Sequence, residues 1–142
     1  MPLFVRGPGI AAGSKVEKLV LNTDFAPTFA NLAGIDFQGD GRSLVPLLRG
    51  GEEDLSSWRS AILLEELVGK GTRAYGAIRT ESYKYVEYDN GERELYDLEA
   101  DPYELDSIYA SADSSLVEDL KTKLEALRSC SGVGCQEAED DP

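Results

Sequence analysis

The sequence predicts an α+β fold in which one C-terminal helix covers a four-stranded antiparallel sheet. Two patterns support this prediction. Over residues 83–88, two sets of side chains alternate with a period of two, which gives a strand two different faces. Asp89-Asn90-Gly91 then supplies residues that tolerate positive φ, a combination typical of a β-hairpin. Nearer the C-terminus, apolar residues recur at spacings of three and four and therefore share one helix face: Leu116, Val117, Leu120, Leu124 and Leu127.

Three further segments complete the predicted sheet. Residues 61–67 and 74–80 are largely apolar, and residues 94–98 follow the hairpin turn. Because consecutive strands with short connections pair antiparallel, the four segments predict a meander. Asp101-Pro102 predicts a turn after the last strand, since aspartate accepts bonds from backbone N–H groups and proline fixes φ.

The first 50 residues contain one strand candidate and one helix. Leu3-Phe4-Val5 is a short continuous apolar run, which predicts a strand buried on both faces, and we interpret it as the last strand of a larger sheet that lies elsewhere. Residue types favoured at an N-cap precede a predicted helix over residues 24–33. We assign Asp24 to helix capping and expect Phe25 and Phe29 to pack in a core.

Chain organisation follows from the glycines and the charges. At 142 residues the chain can hold one domain, or one small domain with a piece of another. Gly50-Gly51 breaks the chain, and we predict a boundary there. Residues 1–50 form the first unit, residues 51–130 a small α+β domain, and residues 131–142 a cysteine loop with an acidic tail. The tail from residue 136 onwards is predicted to be disordered.

Composition excludes several function classes. The formal net charge of −13 repels phosphate backbones and anionic lipid headgroups, so no nucleic-acid or membrane partner is expected. No run reaches the ~20 apolar residues that span a bilayer. The chain has no histidine, which rules out Ser-His-Asp and Cys-His nucleophilic sites built from its own residues.

The two cysteines, Cys130 and Cys135, predict a local disulfide. The small, flexible residues between them can close a short loop, whereas two thiols without histidine cannot form a four-ligand zinc site from this chain alone. A disulfide would indicate an oxidising compartment. The alternative is a pair of reduced thiols in a frayed tail.

Carboxylate pairs are the remaining candidates for acid–base chemistry, and neither pair is a good one. Glu65 and Glu66 are neighbours on a predicted strand and point to opposite faces, although one of them could reach a cleft. Asp97 and Asp101 flank the predicted turn, which accounts for Asp101. From these residues alone the chain shows no complete active site.

An ordered set of motifs resembles the C-terminal third of the sulfatase family, within the alkaline phosphatase superfamily. Each motif is weak alone, but their order along the chain is specific. The motifs are Pro2-Leu3-Phe4-Val5-Arg6-Gly7-Pro8-Gly9, Leu21-Asn22-Thr23-Asp24-Phe25-Ala26-Pro27-Thr28, Asp40-Gly41-Arg42-Ser43-Leu44, Ala77-Ile78-Arg79-Thr80, Tyr83-Lys84-Tyr85, Glu94-Leu95-Tyr96-Asp97-Leu98 and Asp101-Pro102-Tyr103-Glu104-Leu105. The paired cysteines also resemble those of some secreted members.

The resemblance implies a large catalytic α/β domain, of which residues 1–50 are the C-terminal edge, followed by a small domain with a four-stranded sheet and a C-terminal helix. It implies that the complete protein hydrolyses sulfate esters with a formylglycine, made in a Cys/Ser-x-Pro-x-Arg motif, beside a calcium ion. This chain lacks that motif, so no catalytic or metal-binding residue carries over. The implied partners are the missing N-terminal catalytic part and a sulfate-ester substrate, and the implied location is extracytoplasmic or secreted.

We therefore expect the C-terminal part of a sulfuric ester hydrolase, inactive by itself. In this family, loops of the small domain approach the mouth of the active site. The turn after the first predicted strand is the candidate: Glu66, Lys70 and Arg73 could pair with a sugar hydroxyl or a sulfate. A solvated loop is the alternative for this turn. The alternatives for the protein are a phosphodiesterase or phosphonate hydrolase of the same superfamily, or a free-standing interaction domain.

Overall fold

Four strands form one antiparallel sheet in chain order, as the alternating pattern predicts. We describe this fold from a computed structural model, which describes residues 3–50, 58–66 and 74–140. The strands are β1 (Ala61–Glu66), β2 (Tyr75–Thr80), β3 (Tyr83–Tyr88) and β4 (Arg93–Asp97), and each pairs with the next. Short connections impose this arrangement, because a chain that turns back at once can only pair antiparallel.

Two turns follow the chemistry that the sequence predicts. At the end of β3, the N–H of Tyr88 donates to the carbonyl of Glu92 at 3.0 Å, and Gly91 adopts a φ of +90°. This closes the β3–β4 hairpin. After β4, the carboxylate of Asp101 accepts bonds from the N–H groups of Leu105 at 2.6 Å and Asp106 at 2.9 Å. Both predicted turns are confirmed.

The chain returns along the outer edge of β4. The N–H of Leu95 donates to the hydroxyl of Ser107 at 3.1 Å, and the carbonyl of Leu95 accepts from the N–H of Ile108 at 2.8 Å. Two residues further along β4, the carbonyl of Asp97 accepts from the N–H of Asp101 at 2.8 Å. These outward-facing backbone groups of β4 are therefore bonded within the chain.

A helix of 16 residues covers the sheet and forms the core with it. This helix, labelled α3 (Ser114–Ser129), begins where the carboxylate of Asp113 accepts from the N–H of Ser115 at 2.8 Å. Its apolar stripe meets the inner face of the sheet, and each fully buried leucine there contributes about 1.5–3 kcal/mol. The buried cluster consists of Ala61, Ile78, Tyr85, Leu95, Leu120, Leu124 and Leu127. The predicted covering helix is confirmed.

The first 50 residues contain two short helices, α1 (Phe25–Leu32) and α2 (Val45–Arg49), with a 3₁₀ turn over Asn22–Asp24 before α1. The helix predicted over residues 24–33 is confirmed. The segment Leu3-Phe4-Val5 pairs with no described residue, and since its predicted neighbours belong to a larger sheet elsewhere, its assignment as a strand remains a prediction. The predicted core packing of Phe25 and Phe29 is wrong for this chain, since both rings are exposed.

The C-terminal residues form a helix, α4 (Val133–Asp140), where a disordered tail was predicted. The prediction fails because Glu139 is buried in ion pairs with distant arginines, which the local composition does not reveal. The predicted boundary at Gly50-Gly51 remains a prediction, since residues 51–57 lie outside the described ranges. Within those ranges, no helix is long and apolar enough to cross a membrane.

Candidate functional site

Of the predicted substrate-cleft residues, Glu66 lies at one end of the sheet. Glu66 is the last residue of β1, half-buried and opposite Tyr75 of β2. Lys70 and Arg73 fall in residues 67–73, outside the described ranges. Glu65, beside Glu66, is exposed and lines a cavity of about 360 Å³ between β1 and the end of α3. The candidate site therefore remains a prediction at all three positions.

The other carboxylates considered for acid–base chemistry have structural partners. One oxygen of Asp97 accepts bonds from the N–H groups of Glu99 and Ala100, both at 3.0 Å, while Asp101 holds its own turn. Among residues 3–50, 58–66 and 74–140, no group of three or more acidic, cysteine or histidine side chains is arranged to hold a metal ion. The described residues do not fit the calcium site that the resemblance implies, and no chemical step is derived through calcium.

The two cysteines are joined in the predicted disulfide. Cys130 ends α3, and Cys135 lies buried in the first turn of α4. The bond therefore ties two helices together, and neither sulfur is free as a nucleophile or a metal ligand.

A buried carboxylate that sequence reasoning assigned to helix capping also anchors an ion pair. Asp24 and Arg59 have no exposed side-chain surface, and two parallel bonds join them: Nη1 to Oδ2 at 2.8 Å and Nη2 to Oδ1 at 2.7 Å. The same carboxylate accepts from the N–H groups of Leu21 at 2.7 Å and Arg42 at 3.0 Å. The bond from Leu21 caps the 3₁₀ turn that leads into α1, while the first turn of α1 itself makes no bond to the Asp24 side chain, so capping explains only part of its role.

Glu139 of α4 completes this network from the far end of the chain. Its Oε2 lies 3.0 Å from Nε of Arg59 and 3.0 Å from Nη2 of Arg42; the contact with Nε lacks hydrogen-bond geometry. Burial raises the pKa of Glu139, and the two guanidinium groups oppose that rise. The ring of Trp58 packs 5.6 Å from the guanidinium carbon of Arg59 and 5.5 Å from that of Arg42.

A second polar cluster lies on the sheet around Glu87. Its carboxylate accepts from the hydroxyl of Tyr85 at 3.0 Å and lies 2.9 Å from Nη1 of Arg128 and 3.4 Å from Nε of Arg93. Burial opposes ionisation of Glu87, yet bonds from Arg128 and Tyr85 hold its pKa below the ordinary value. Gly76 makes room for this arrangement, since a Cβ there would lie 2.1 Å from Nη2 of Arg128.

Glu104 follows the predicted Asp-Pro turn and has an unusual backbone. Its φ of +56° lies in the left-handed region, where non-glycine residues are uncommon. Arg79, 3.2 Å away through Nη1, and Lys84 both pair with its carboxylate, which explains how the conformation is held. The charged groups of Glu104, Arg79 and Lys84 pair with one another, so this cluster has a structural role.

An apolar opening lies within residues 3–50. A groove of about 440 Å³ runs between the N-terminal segment, α1 and α2, and its walls include Phe4, Phe25, Phe29, Leu32 and Leu48. Phe4 is 89% exposed and Phe29 is 68% exposed. Within the described ranges, nothing covers these side chains.

Comparison with known proteins places the chain among sulfatase C-terminal regions. The family described as N-sulphoglucosamine sulphohydrolase, C-terminal, matches residues 1–130. The N-acetylglucosamine-6-sulfatase of Capra hircus is 33% identical over an alignment of 173 positions. The alignment covers 96% of this chain and 30% of the goat protein. The chain thus spans about 30% of the length of the goat and human N-acetylglucosamine-6-sulfatases.

Solved structures agree with the fold. A protein solved in complex with its substrate D-glucosamine-2-N,6-O-disulfate matches with a TM-score of 0.76 and 28% identity, covering 93% of this chain and 28% of that chain. A phosphonate monoester hydrolase of Agrobacterium radiobacter matches with a TM-score of 0.69 and 32% identity, covering 84% of this chain and 27% of that chain. The α+β small domain is therefore an architecture that hydrolases of this kind share.

Proposed function

Because the chain belongs to the N-sulphoglucosamine sulphohydrolase C-terminal family, part of the sulfatases, we propose that it completes the fold of an enzyme that hydrolyses a sulfate ester. The observation that carries this proposal is the open apolar groove beside α1. Large exposed apolar surfaces mark sites where another protein surface packs. The catalytic α/β domain is the occupant that we propose, since the chain spans about 30% of the goat relative's length.

The groove suits this role in shape and composition. Its apolar side chains come from the N-terminal segment and from one face of α1, so one continuous surface is offered to the partner. Burying one large apolar side chain contributes about 1.5–3 kcal/mol. Phe4, Phe25, Phe29 and Leu32 together can therefore supply a substantial part of the energy that holds two domains together.

In this proposal the chemistry of ester hydrolysis resides outside the chain. Formylglycine and calcium, which the resemblance implies for the complete enzyme, would be supplied by residues outside this chain. Within the described residues, both cysteines are paired with each other, and no group of three or more acidic, cysteine or histidine side chains is arranged to hold a metal ion. The chain alone is expected to be inactive.

The test is a chimaeric enzyme. The region of the goat N-acetylglucosamine-6-sulfatase that aligns with this chain is replaced by this chain, and release of sulfate from N-acetylglucosamine 6-sulfate is measured. We expect an active chimaera, and we expect Phe29→Asp to lower activity per mole at least tenfold. The matched control is Tyr103→Asp, which changes a residue that is 82% exposed and lies away from the groove.

Two results would overturn the proposal. One is an active chimaera in which Phe29→Asp and Tyr103→Asp have the same activity per mole, because the catalytic domain then does not pack in the groove. The other is an isolated chain that is monodisperse and protects Phe29 from solvent by a second copy, as an independent interaction domain would. Urea unfolding of the isolated Phe29→Asp chain checks that the substitution changes its stability by no more than about 0.5 kcal/mol.

The substrate class that we propose is a sulfate ester of an amino sugar. The goat relative is named for N-acetylglucosamine 6-sulfate and the solved neighbour binds a glucosamine disulfate, which supports this class. The phosphonate monoester hydrolase among the solved structures keeps phosphonate esters as the second candidate. Assaying a complete parent enzyme that contains this chain with both esters separates the two classes.

Glu66, Lys70 and Arg73 are proposed to reach the mouth of the substrate cleft. Arginine and lysine suit sulfate, and a carboxylate suits sugar hydroxyls. In the complete enzyme, Arg73→Ala is expected to raise KM for the sulfated sugar while kcat changes little. An unchanged KM would mean that the turn is only a solvated loop.

The proposed location is extracytoplasmic. The Cys130–Cys135 disulfide supports it, since such bonds persist in oxidising compartments. A count of free thiols on protein isolated without reductant tests this, and two free thiols per chain would argue against it.

A further inference from the structure

We propose that α4 is a redox-dependent clasp: the Cys130–Cys135 disulfide positions α4 so that its buried face locks residues 19–42, which lead into and carry α1, onto the sheet. This proposal is independent of the sulfatase activity. It concerns how two parts of this chain are joined, and it explains a buried charge network that the proposed function does not use.

The first step is that α4 bonds to both parts. On the side of residues 19–42, Nε2 of Gln136 donates to the carbonyl of Gly41 at 3.0 Å, and Nη2 of Arg42 donates to the carbonyl of Gln136 at 3.1 Å. On the sheet side, the N–H of Ser60, just before β1, donates to the carbonyl of Glu139 at 2.8 Å. The helix therefore bridges two segments that are far apart in sequence.

The second step is the position of the disulfide on α4. Cys135 and Glu139 are four residues apart, so they lie on the same helix face one turn from each other. They are the two buried residues of α4, 7% and 5% exposed. The bond to Cys130 therefore fixes the helix face that presents Glu139 to Arg59 and Arg42.

The third step is that α4 has little stability of its own. It has eight residues, and isolated helices shorter than about 12–15 residues are marginal in water. The loop closed by the disulfide also bonds to residues 19–42, where the N–H of Gly132 donates to the carboxylate of Asp40 at 2.6 Å. Without the covalent tie, the order of both the loop and the helix depends on these polar contacts and on the packing of Ala138 against the core.

The switching step is a two-electron reduction. A dithiol reductant supplies two electrons and two protons, the S–S bond breaks, each sulfur becomes a thiol, and the reductant closes its own disulfide. Loop-closure entropy for a loop of this length predicts that the opening equilibrium of α4 rises about 30-fold on reduction. Once α4 opens, Arg42 loses Glu139, and residues 19–42 keep the pairing of Asp24 with Arg59 and the contacts of Leu19 and Arg42 with Trp58.

The experiment is hydrogen exchange by mass spectrometry on the full chain, oxidised and after reduction. Exchange rates of protected amides follow the opening equilibrium. We expect exchange to accelerate about 30-fold in residues 133–140 and at least severalfold in residues 20–42, with no change in residues 83–97 of the sheet. The Cys130→Ser/Cys135→Ser double variant, without reductant, is expected to reproduce this pattern.

A second experiment tests whether Glu139 couples α4 to residues 20–42 while the disulfide is intact. In the oxidised chain, Glu139→Gln is expected to accelerate exchange in residues 20–42. Glu137→Gln, an exposed carboxylate of the same helix, is the matched control and should leave exchange unchanged.

Three outcomes overturn the proposal. In the first, reduction releases residues 133–140 but not 20–42, so the disulfide holds only its own helix. In the second, all segments including 83–97 exchange faster, which indicates that the disulfide stabilises the whole fold and not the contact between α4 and residues 19–42. In the third, Glu139→Gln and Glu137→Gln behave alike. Reduction of the wild-type chain distinguishes the first two outcomes from the expected pattern even where the cysteine variant does not fold.

Discussion

Replacing Arg59 with methionine is expected to destabilise the fold by about 3–5 kcal/mol. Methionine has a similar length but no charge, so Asp24 would keep only the N–H groups of Leu21 and Arg42 as partners. The attraction between unit charges about 4 Å apart is ~4 kcal/mol at an effective dielectric constant of about 20. Removing one partner of a buried pair typically costs about 3–5 kcal/mol, because the other charge stays buried. That is a large part of the ~5–15 kcal/mol that stabilises a domain.

Urea unfolding followed by tryptophan fluorescence measures this loss. Trp58 is the single tryptophan of the chain, and its ring packs against Arg59, so its emission reports directly on this region. The Asp24→Asn/Arg59→Met double variant should recover at least half of the loss, because it no longer buries an unpaired charge.

Arg93→Met is the control for this experiment. Arg93 is 29% exposed and lies 3.4 Å from Glu87, so its loss should change stability by no more than about 1 kcal/mol. The reasoning is refuted if Arg59→Met resembles this control, or if the double variant is no more stable than Arg59→Met.

Three other predictions follow from close contacts and from one carboxylate. Gly41→Ala should lower the thermal midpoint by about 4–10 °C, since its Cβ would lie 2.3 Å from the backbone oxygen of Thr23; a shift below about 2 °C would contradict this. Gly76→Ala should cost less than about 1 kcal/mol by displacing the Arg128 guanidinium, and a double-mutant cycle with Arg128→Ala should show strong coupling. Because folding lowers the pKa of Glu87, its ionised carboxylate stabilises the folded state at pH values above its ordinary pKa of 4.5. This stabilisation is lost as the pH falls through the lower pKa that Glu87 has in the folded state. The free energy of unfolding, measured with urea, should therefore fall less between about pH 6 and pH 3 in Glu87→Gln than in the unsubstituted chain. An equal fall in both chains would exclude this role for Glu87.

The parts of the fold that sequence predicts are those that local patterns determine. The two-residue period of residues 83–88 and the apolar stripe of α3 each arise within one segment, so strand, hairpin and covering helix could be predicted closely. The network around Asp24 could not be predicted. Its partner Arg59 is 35 positions away, and Arg42 reaches Glu139 across 97 positions, so no local signal links them. The same long-range pairs made the acidic tail helical.

Sequence also leaves open what covers an apolar face. Spacings of three and four on α1 correctly predict that Phe25, Phe29 and Leu32 share a side, but the pattern is the same whether the cover lies in this chain or in another domain. Core packing was the wrong choice for this chain. The predicted substrate-binding turn remains untested for another reason: its candidates Lys70 and Arg73 lie outside the described residues.

The bonded outer edge of β4 has a consequence for self-association. An open edge strand offers a row of free N–H and C=O groups, on which another chain can add a strand and begin aggregation. Here the return segment bonds both backbone groups of Leu95, and Asp101 bonds the carbonyl of Asp97. A five-residue strand whose outward groups are used in this way is a poor template for strand addition. The β-meander is thereby protected on this side against growth into a larger intermolecular sheet.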